Sequence, residues 1–364
     1  MSASPRLKYF DMARGIGIFL VILGHLQGDS FFSLSPYVLP LCTWIFSFHM
    51  PLFFIISGML IRYKNDATSD LKTLAAKRFR GIMVPYLWFS LFYFLVVVFA
   101  FIKGSIKINT LLTQAWYVVG MYGMNVLWFL PALFMGELLF LYILRKFGGR
   151  KSAVLIPAVT LIAILLNYLR GMLPEDIAAY ERIDELSITL LRPLFVCSFV
   201  AIGYCVFGLF KQNEKRSLLE LLLGLAMMIA NIFLHKLNGG VDFRSLVMNN
   251  LVLYYICAVL GSIGLILVCK NLPDLRPVSA FGANSLIVMA VHNNETVLYL
   301  GLKLSMIVNQ YITRARGYIS YALVVLVITV FCIIMIWLIN RFFGFIVGKP
   351  SPFDKYLHRK KQQV

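Results

Sequence analysis

Charge is scarce in these 364 residues, at 14%, and acidic charge is scarcer: 16 Asp plus Glu face 34 Lys plus Arg. Soluble domains are about a quarter charged and about half apolar, whereas 60% of this chain is hydrophobic. That excludes an ordinary soluble domain, and it excludes disorder, which needs low hydrophobicity. Cysteine is also sparse. All six (Cys42, Cys197, Cys205, Cys257, Cys269 and Cys332) lie in or near apolar runs, and none forms a CxxC pair. They read as small buried hydrophobes, not as a disulfide scaffold or metal ligands. HExxH and similar ligand spacings are lacking, as are solenoid repeats and low-complexity linkers, so no metal is expected. Nor are there segments of about ten alternating residues, as a membrane β-barrel requires. The net charge of +18 alone suggests nucleic acid, but so apolar a chain has no large solvated face for it.

What the sequence does have is long apolar runs. A bilayer core takes roughly 20 residues per helix. Ten runs qualify: 9–26, 38–61, 83–102, 118–144, 152–169, 187–210, 217–236, 246–269, 281–302 and 317–347. The expectation is an all-α polytopic bundle of about ten transmembrane helices. It forms one membrane domain, 1–348, followed by a basic tail, 349–364. Loops on one side collect 22 basic residues, including Arg6, Lys8, the 62–80 and 145–151 clusters and the tail, and the opposite loops collect nine. The positive-inside bias puts both termini in the cytoplasm, and an even number of spans agrees. The N-terminus reads as a first span and not a signal peptide, because Asp11 and Arg14 interrupt it and no small-residue cleavage site follows Leu26. The stretch 170–186 is the longest external loop and the most acidic. A short surface helix is expected after Pro174.

Ionisable side chains within a span are costly and mark candidate functional sites. The first span carries Asp11, Arg14 and His25. Asp11 and Arg14, three apart, are neighbours on a helix surface. Arg14 and His25, eleven apart, fall on nearly the same face about 16 Å from each other along the axis. Asp11 and His25 are therefore too far apart to form a dyad. The second span has His49 followed by Pro51 and Gly58, which break or thin the helix. The fourth has Trp128 and Glu137, and the ninth has His292, Asn293 and Glu295. Hydrogen bonding between helices accounts equally well for Glu137 and Glu295. Three mid-span histidines suit general bases better than metal ligands. Lys77, Arg78 and Arg80 precede the third span, where they serve as topology charges, as anionic-lipid contacts or as a phosphate clamp.

The ordered motifs resemble the integral-membrane acyltransferase 3 superfamily, which includes O-acetyltransferases of bacterial surface glycans. The opening Tyr9-Phe10-Asp11-Met12-Ala13-Arg14-Gly15-Ile16, continuing to Gly24-His25, is similar to that family's start. His49-Met50-Pro51-Leu52-Phe53-Phe54 with Ser57-Gly58 resembles its second block, and Leu127-Trp128-Phe129-Leu130-Pro131 its central block. Lys77 to Arg80 resembles its paired-arginine motif, with Lys77 replacing the first arginine. His292 falls where members often carry a histidine. The fucose 4-O-acetylase-like branch is the most similar.

The resemblance implies a multi-pass enzyme of a bacterial inner membrane, in contact with membrane lipids and not with nucleic acid. It would carry no tightly bound cofactor. Acetyl-CoA is the cosubstrate, and a carbohydrate or lipid-linked glycan hydroxyl is the acceptor. His25 is then the general base, with an acetyl-His intermediate as the covalent alternative. Asp11 and Arg14 support it, and Arg14 with Lys77, Arg78 and Arg80 binds the donor. His49, His292, Asn293, Glu295, Trp128 and Glu137 hold the acceptor or orient the base. Two other classes compete: a proton-coupled transporter or glycan flippase, and a non-catalytic subunit of a polysaccharide synthase.

Overall fold

With no water in a hydrocarbon core, backbone groups must pair within their own segment, and the apolar runs accordingly form helices. The computed structural model describes residues 5–26, 38–174, 180–210, 216–309 and 316–349. The expected tail past residue 349, the loop acids Glu175 and Asp176, and Lys211, Lys215 and Arg314 lie outside the described residues. Fourteen α-helices are described. They are α1 (Lys8–His25), α2 (Val38–Phe46), α3 (His49–Tyr63), α4 (Leu71–Arg78), α5 (Val84–Ile102), α6 (Ile108–Val119) and α7 (Phe129–Arg170). After them come α8 (Tyr180–Leu209), α9 (Leu218–Asn238), α10 (Leu251–Asn271), α11 (Arg276–Ala283), α12 (Ser285–Val291), α13 (Glu295–Asn309) and α14 (Arg316–Phe342). One small hairpin, β1 (Val241–Asp242) with β2 (Val247–Met248), joins α9 to α10.

Seven helical stretches among the described residues are long and apolar enough to cross a membrane: Pro40–Tyr63, Leu71–Ile102, Asn125–Arg170, Tyr180–Gly208, Leu218–Asn238, Leu251–Asn271 and Ile319–Phe342. The chain is an all-α, multi-pass membrane protein. The differences from the ten expected spans have local causes. The expected fourth and fifth spans are two arms of α7, separated at Gly148, whose φ of 72° leaves helical space. The fourth begins near residue 125, not 118, because Met121, Gly123 and Asn125 all take positive φ. The expected ninth span is not continuous. It is broken at Asn284 and again at His292–Asn294, giving α11, α12 and α13. The first span forms α1 as a helix, but Lys8, Asp11 and Arg14 make it too polar to count by hydropathy alone. The short helix expected directly after Pro174 falls on residues 175–179, outside the described residues, and α8 begins at Tyr180.

The chain divides into two units. The first is Met1–Leu60 with Gly203–Ile336, and the second is Ile61–Ile202 with Trp337–Val364. In the first unit, α1 lies against α11 at backbone distance. A Cβ at Gly282 would overlap the carbonyl oxygen of Asp11 and the backbone of Gly15, and one at Gly15 would overlap the carbonyl of Val278. The α9–α10 pair uses the same device, with Gly224 and Gly264 each facing the other's carbonyl. Lipid supplies no hydrophobic drive between helices, so close packing at small residues takes its place. In the second unit, the Asp70 side chain caps α4 by accepting from the Thr73 amide at 3.0 Å. A π-helical turn, Phe79–Met83, then leads into α5.

Candidate active site

In the first unit, α1 presents its polar residues in the expected order. Arg14 Nη2 donates to Asp11 Oδ1 at 2.6 Å, the i, i+3 pair that the spacing predicts. Arg6, read from the sequence only as a topology charge, closes on the other carboxylate oxygen at 2.5 Å. Asp11 is thus buried between two guanidinium groups, and the Arg14 side chain keeps 27% of its surface exposed. The helix runs unbroken from there to His25, so the offset of about 16 Å between Arg14 and His25 stands.

His25 ends α1, and its ring meets that of His292 edge to face, with centroids 4.9 Å apart and planes at 80°. His292 sits at the break between α12 and α13. Its Nδ1 is 3.0 Å from the Val288 carbonyl oxygen and 2.9 Å from that of Met289. Carbonyls only accept, so Nδ1 carries the proton, and the lone pair of the neutral ring is left on Nε2. That nitrogen is buried and has no hydrogen-bond partner among the described residues. His49, the first residue of α3, is fixed from the end of α2, its Nδ1 donating to the Ile45 carbonyl at 3.0 Å. The three imidazoles lie within electrostatic reach of one another. Two hairpin residues that sequence reasoning did not single out join them, Arg244 acting on His25 and Asp242 on His49. Tyr321 donates its hydroxyl to the Leu23 carbonyl at 2.8 Å, satisfying one of the orphan acceptors at the end of α1.

Asn293 is half-buried beside His292. Glu295 is exposed in the first turn of α13, not buried in a span, because the helix restarts there. Asn294, whose side chain accepts from the Val297 amide at 3.2 Å, makes that restart.

The remaining candidates belong to the second unit. Arg78 lies between two carboxylates, Asp66 and Glu137, each at 2.8 Å. Glu137 and Asp66 are both buried, so the helix-to-helix pairing reading accounts for Glu137. Lys77 and Arg80 are exposed. Trp128 is buried beneath Arg192, whose guanidinium carbon stands 5.1 Å from the Trp128 ring centroid and 4.7 Å from that of Tyr122. Arg192 Nη1 also donates to the Tyr122 carbonyl at 2.9 Å. Sequence reasoning missed Arg192 and Asp66. Arg192 lies inside an expected span, so the rule that singles out Arg14 applies to it as well. Asp66 follows Asn65 in a polar loop and carries no such signal. No cluster of His, Cys, Asp or Glu suited to a metal occurs among the described residues.

A family model described as an acyltransferase domain matches residues 7–341. The chain belongs to that acyltransferase 3 family. Two nodulation proteins NolL are similar to it. That of Mesorhizobium japonicum (strain LMG 29417 / CECT 9101 / MAFF 303099) is 35% identical over 136 residues, 36% of this chain and 34% of the relative. That of Sinorhizobium fredii (strain NBRC 101917 / NGR234) is 30% identical over 214 residues, 55% of this chain and 57% of the relative. The chain therefore spans about a third to just over half the length of the curated relatives it matches. No solved structure matches. The family match takes in every residue of the acyltransferase site expected from the sequence, from Asp11 to Glu295.

Proposed function

We propose that this protein is a membrane-bound O-acyltransferase. It moves an acetyl or similar short acyl group from acyl-CoA to a hydroxyl of a cell-surface or lipid-linked carbohydrate. The observation that carries the reading is the His25–His292 contact, with a buried, unprotonated His292 Nε2 beside the imidazole that ends α1. Family membership supplies the acyltransferase class.

In the proposed reaction, a nitrogen of His25 takes the proton of the acceptor hydroxyl as its oxygen attacks the thioester carbonyl. The C–S bond breaks, CoA leaves as thiolate, and the imidazolium returns the proton to sulfur. General-base assistance of this kind is worth about 10²–10⁴-fold. His292, with its tautomer fixed by two carbonyls, packs edge to face on the His25 ring and orients it through that contact. Arg14, held by Asp11, serves the donor further along α1. Lys77 and Arg80 bind the CoA phosphates from exposed positions, and Arg78, expected from the sequence to join them, instead holds their helix in place through Asp66 and Glu137. Acetyl-CoA is a cosubstrate, and no cofactor is retained.

We further propose ten membrane crossings with both termini in the cytoplasm of a bacterial inner membrane. Added to the seven long apolar stretches, α1, the second arm of α7 and the broken α11–α13 stretch make up the count. Charge asymmetry across the loops supports this orientation.

The test is transfer by the purified protein of labelled acetyl from acetyl-CoA to a lipid-linked glycan, with free thiol measured in parallel. Thiol release together with labelled glycan is expected. Neither product would be made by a transporter, a flippase or an assembly subunit. A His25→Ala protein with full activity would remove His25 from the base role.

A further inference from the structure

The apolar helix α9 is built inside out. Its buried residues are Gly224, Asn231, His235 and Asn238, while Leu219, Phe233 and Leu237 are more than 60% exposed. Apolar side chains facing outward suit lipid, and a polar stripe facing inward has to be satisfied by something in the interior. Four and seven residues apart, the three polar side chains lie on one face, within about 10 Å along the axis.

Their hydrogen bonds fix which atoms remain. Asn231 Nδ2 donates to the Cys257 carbonyl at 2.9 Å and to Ser47 Oγ at 3.2 Å, which sets the amide and leaves Oδ1 as an acceptor. Asn238 Oδ1 accepts from the Asn250 amide at 2.9 Å, which leaves Nδ2 as a donor. Asn231 Oδ1, Asn238 Nδ2 and His235 Nδ1 are buried and have no partner among the described residues. So is Trp44 Nε1, on α2, the helix that precedes Ser47. Buried polar atoms are normally paired, and each exception calls for a reason. Three of them on one face of α9, with a fourth on α2, are more than packing needs.

We propose that Asn231, His235, Asn238 and Trp44 form a subsite for the carbohydrate acceptor, an inference that rests on the acyltransferase reading. The chemistry is that of a polyol: an amide oxygen, an amide NH₂, an imidazole and an indole N–H mix donors with acceptors and include no carboxylate, ammonium or guanidinium group. A phosphate or carboxylate would meet an unfavourable amide oxygen at Asn231, whereas adjacent sugar hydroxyls donate to one group and accept from the next. The Trp44 ring adds an apolar face for a sugar C–H surface. The stripe also lies beside the catalytic region. Ser47, bonded to Asn231, is two residues before His49, and Ser262 Oγ donates to the Phe48 carbonyl at 3.4 Å.

The test is thermal unfolding of the purified full-length protein in detergent, with and without a panel of methyl glycosides of fucose, rhamnose, glucose, galactose and N-acetylglucosamine. A ligand that binds only the folded state raises Tm. At least one glycoside is expected to stabilise the wild type, and Asn231→Leu, Asn238→Leu and His235→Phe are expected to lose that shift. Trp44→Phe keeps an aromatic face while removing the N–H and the pyrrole ring that bears it, an apolar exchange that gives a reading even if the other variants fail to fold, and it is expected to weaken the shift. No shift in the wild type with any glycoside overturns the subsite. So does a full shift in Trp44→Phe and in every other variant that folds. If the sugar shift is present and stripe-dependent but the wild type never releases thiol from acetyl-CoA, the acyltransferase reading fails and the carbohydrate subsite stands.

Discussion

His25 and His292, from opposite ends of the chain, meet edge to face with ring centroids 4.9 Å apart. The arrangement is asymmetric. His292 is fixed by two carbonyl acceptors on its own helix and offers a lone pair, whereas His25 ends its helix and is only partly buried. The two rings should therefore respond differently to substitution. His25→Ala should lower kcat by about 10²–10⁴-fold. His292→Ala removes only the orientation of the base and should cost up to about 10²-fold, with KM for acetyl-CoA unchanged. Steady-state thiol release at varied acetyl-CoA checks both. Equal losses in the two variants would assign the base role to the pair and not to His25.

Much of this region is legible in the sequence because polar residues stand out against an apolar background. Asp11, Arg14, His25, His49 and His292 can all be read directly, and the Asp11–Arg14 pair follows from helical spacing alone. The meeting of His25 with His292 is not legible, since it depends on how α1 and the broken α12–α13 stretch pack. The turn at His292–Asn294 is hidden inside the ninth run, whereas the break at Gly148 falls in the charged stretch 145–151 that already separates the fourth run from the fifth. His235 goes unnoticed at the end of a long leucine-rich stretch, where its burial depends on which face of α9 turns inward.

Arg78 is held between Asp66 and Glu137, and that separates it from its neighbours Lys77 and Arg80. Removing it leaves two buried carboxylates together, so Arg78→Met should destabilise the protein by about 3–5 kcal/mol, the usual cost of breaking a buried pair. Glu137→Gln should cost less, because Asp66 still balances Arg78. The double variant Arg78→Met with Glu137→Gln should recover part of the loss. Lys77→Ala and Arg80→Ala should leave Tm unchanged and raise KM for acetyl-CoA. Unfolding curves read alongside KM distinguish the two behaviours. A KM effect for Arg78→Met with unchanged Tm would favour a phosphate contact over an internal ion pair.

The α1–α11 contact sets the position of the site. At Gly282 an added methyl would overlap the Asp11 carbonyl and the Gly15 backbone, neither of which is a flexible side-chain tip. Gly282→Ala should therefore push α1 away and cost at least the 1–3 kcal/mol typical of overpacking. Activity should fall with it, because Arg14 and His25 ride on the same helix. Gly81→Ala is the control, since nothing lies within 4 Å of a Cβ there and its φ is not positive. Comparing Tm and activity of the two variants tests whether close backbone approach holds α1 in place.

Trp128 is covered on one side by Arg192, which is fully buried, also stacks over Tyr122 and donates to the Tyr122 carbonyl. The loop 120–128 that carries both rings has three residues with positive φ, Met121, Gly123 and Asn125, so its course depends on being held from outside. A Cβ at Gly123 would overlap the Trp128 backbone, which shows how tightly the loop closes on that residue. Arg192→Lys keeps the charge but loses the planar face and the fixed fork of donors. Cation–π contacts that are desolvated contribute about 2 kcal/mol, and a loss of that order is expected in unfolding experiments. Arg192→Met removes the charge as well and should also free the loop, raising hydrogen exchange at residues 120–128. If Trp128 instead served as an open stacking platform for the acceptor, Arg192→Lys would leave stability intact and change acceptor KM alone. Measuring both quantities on the same preparation decides between a packed loop and a sugar-binding one.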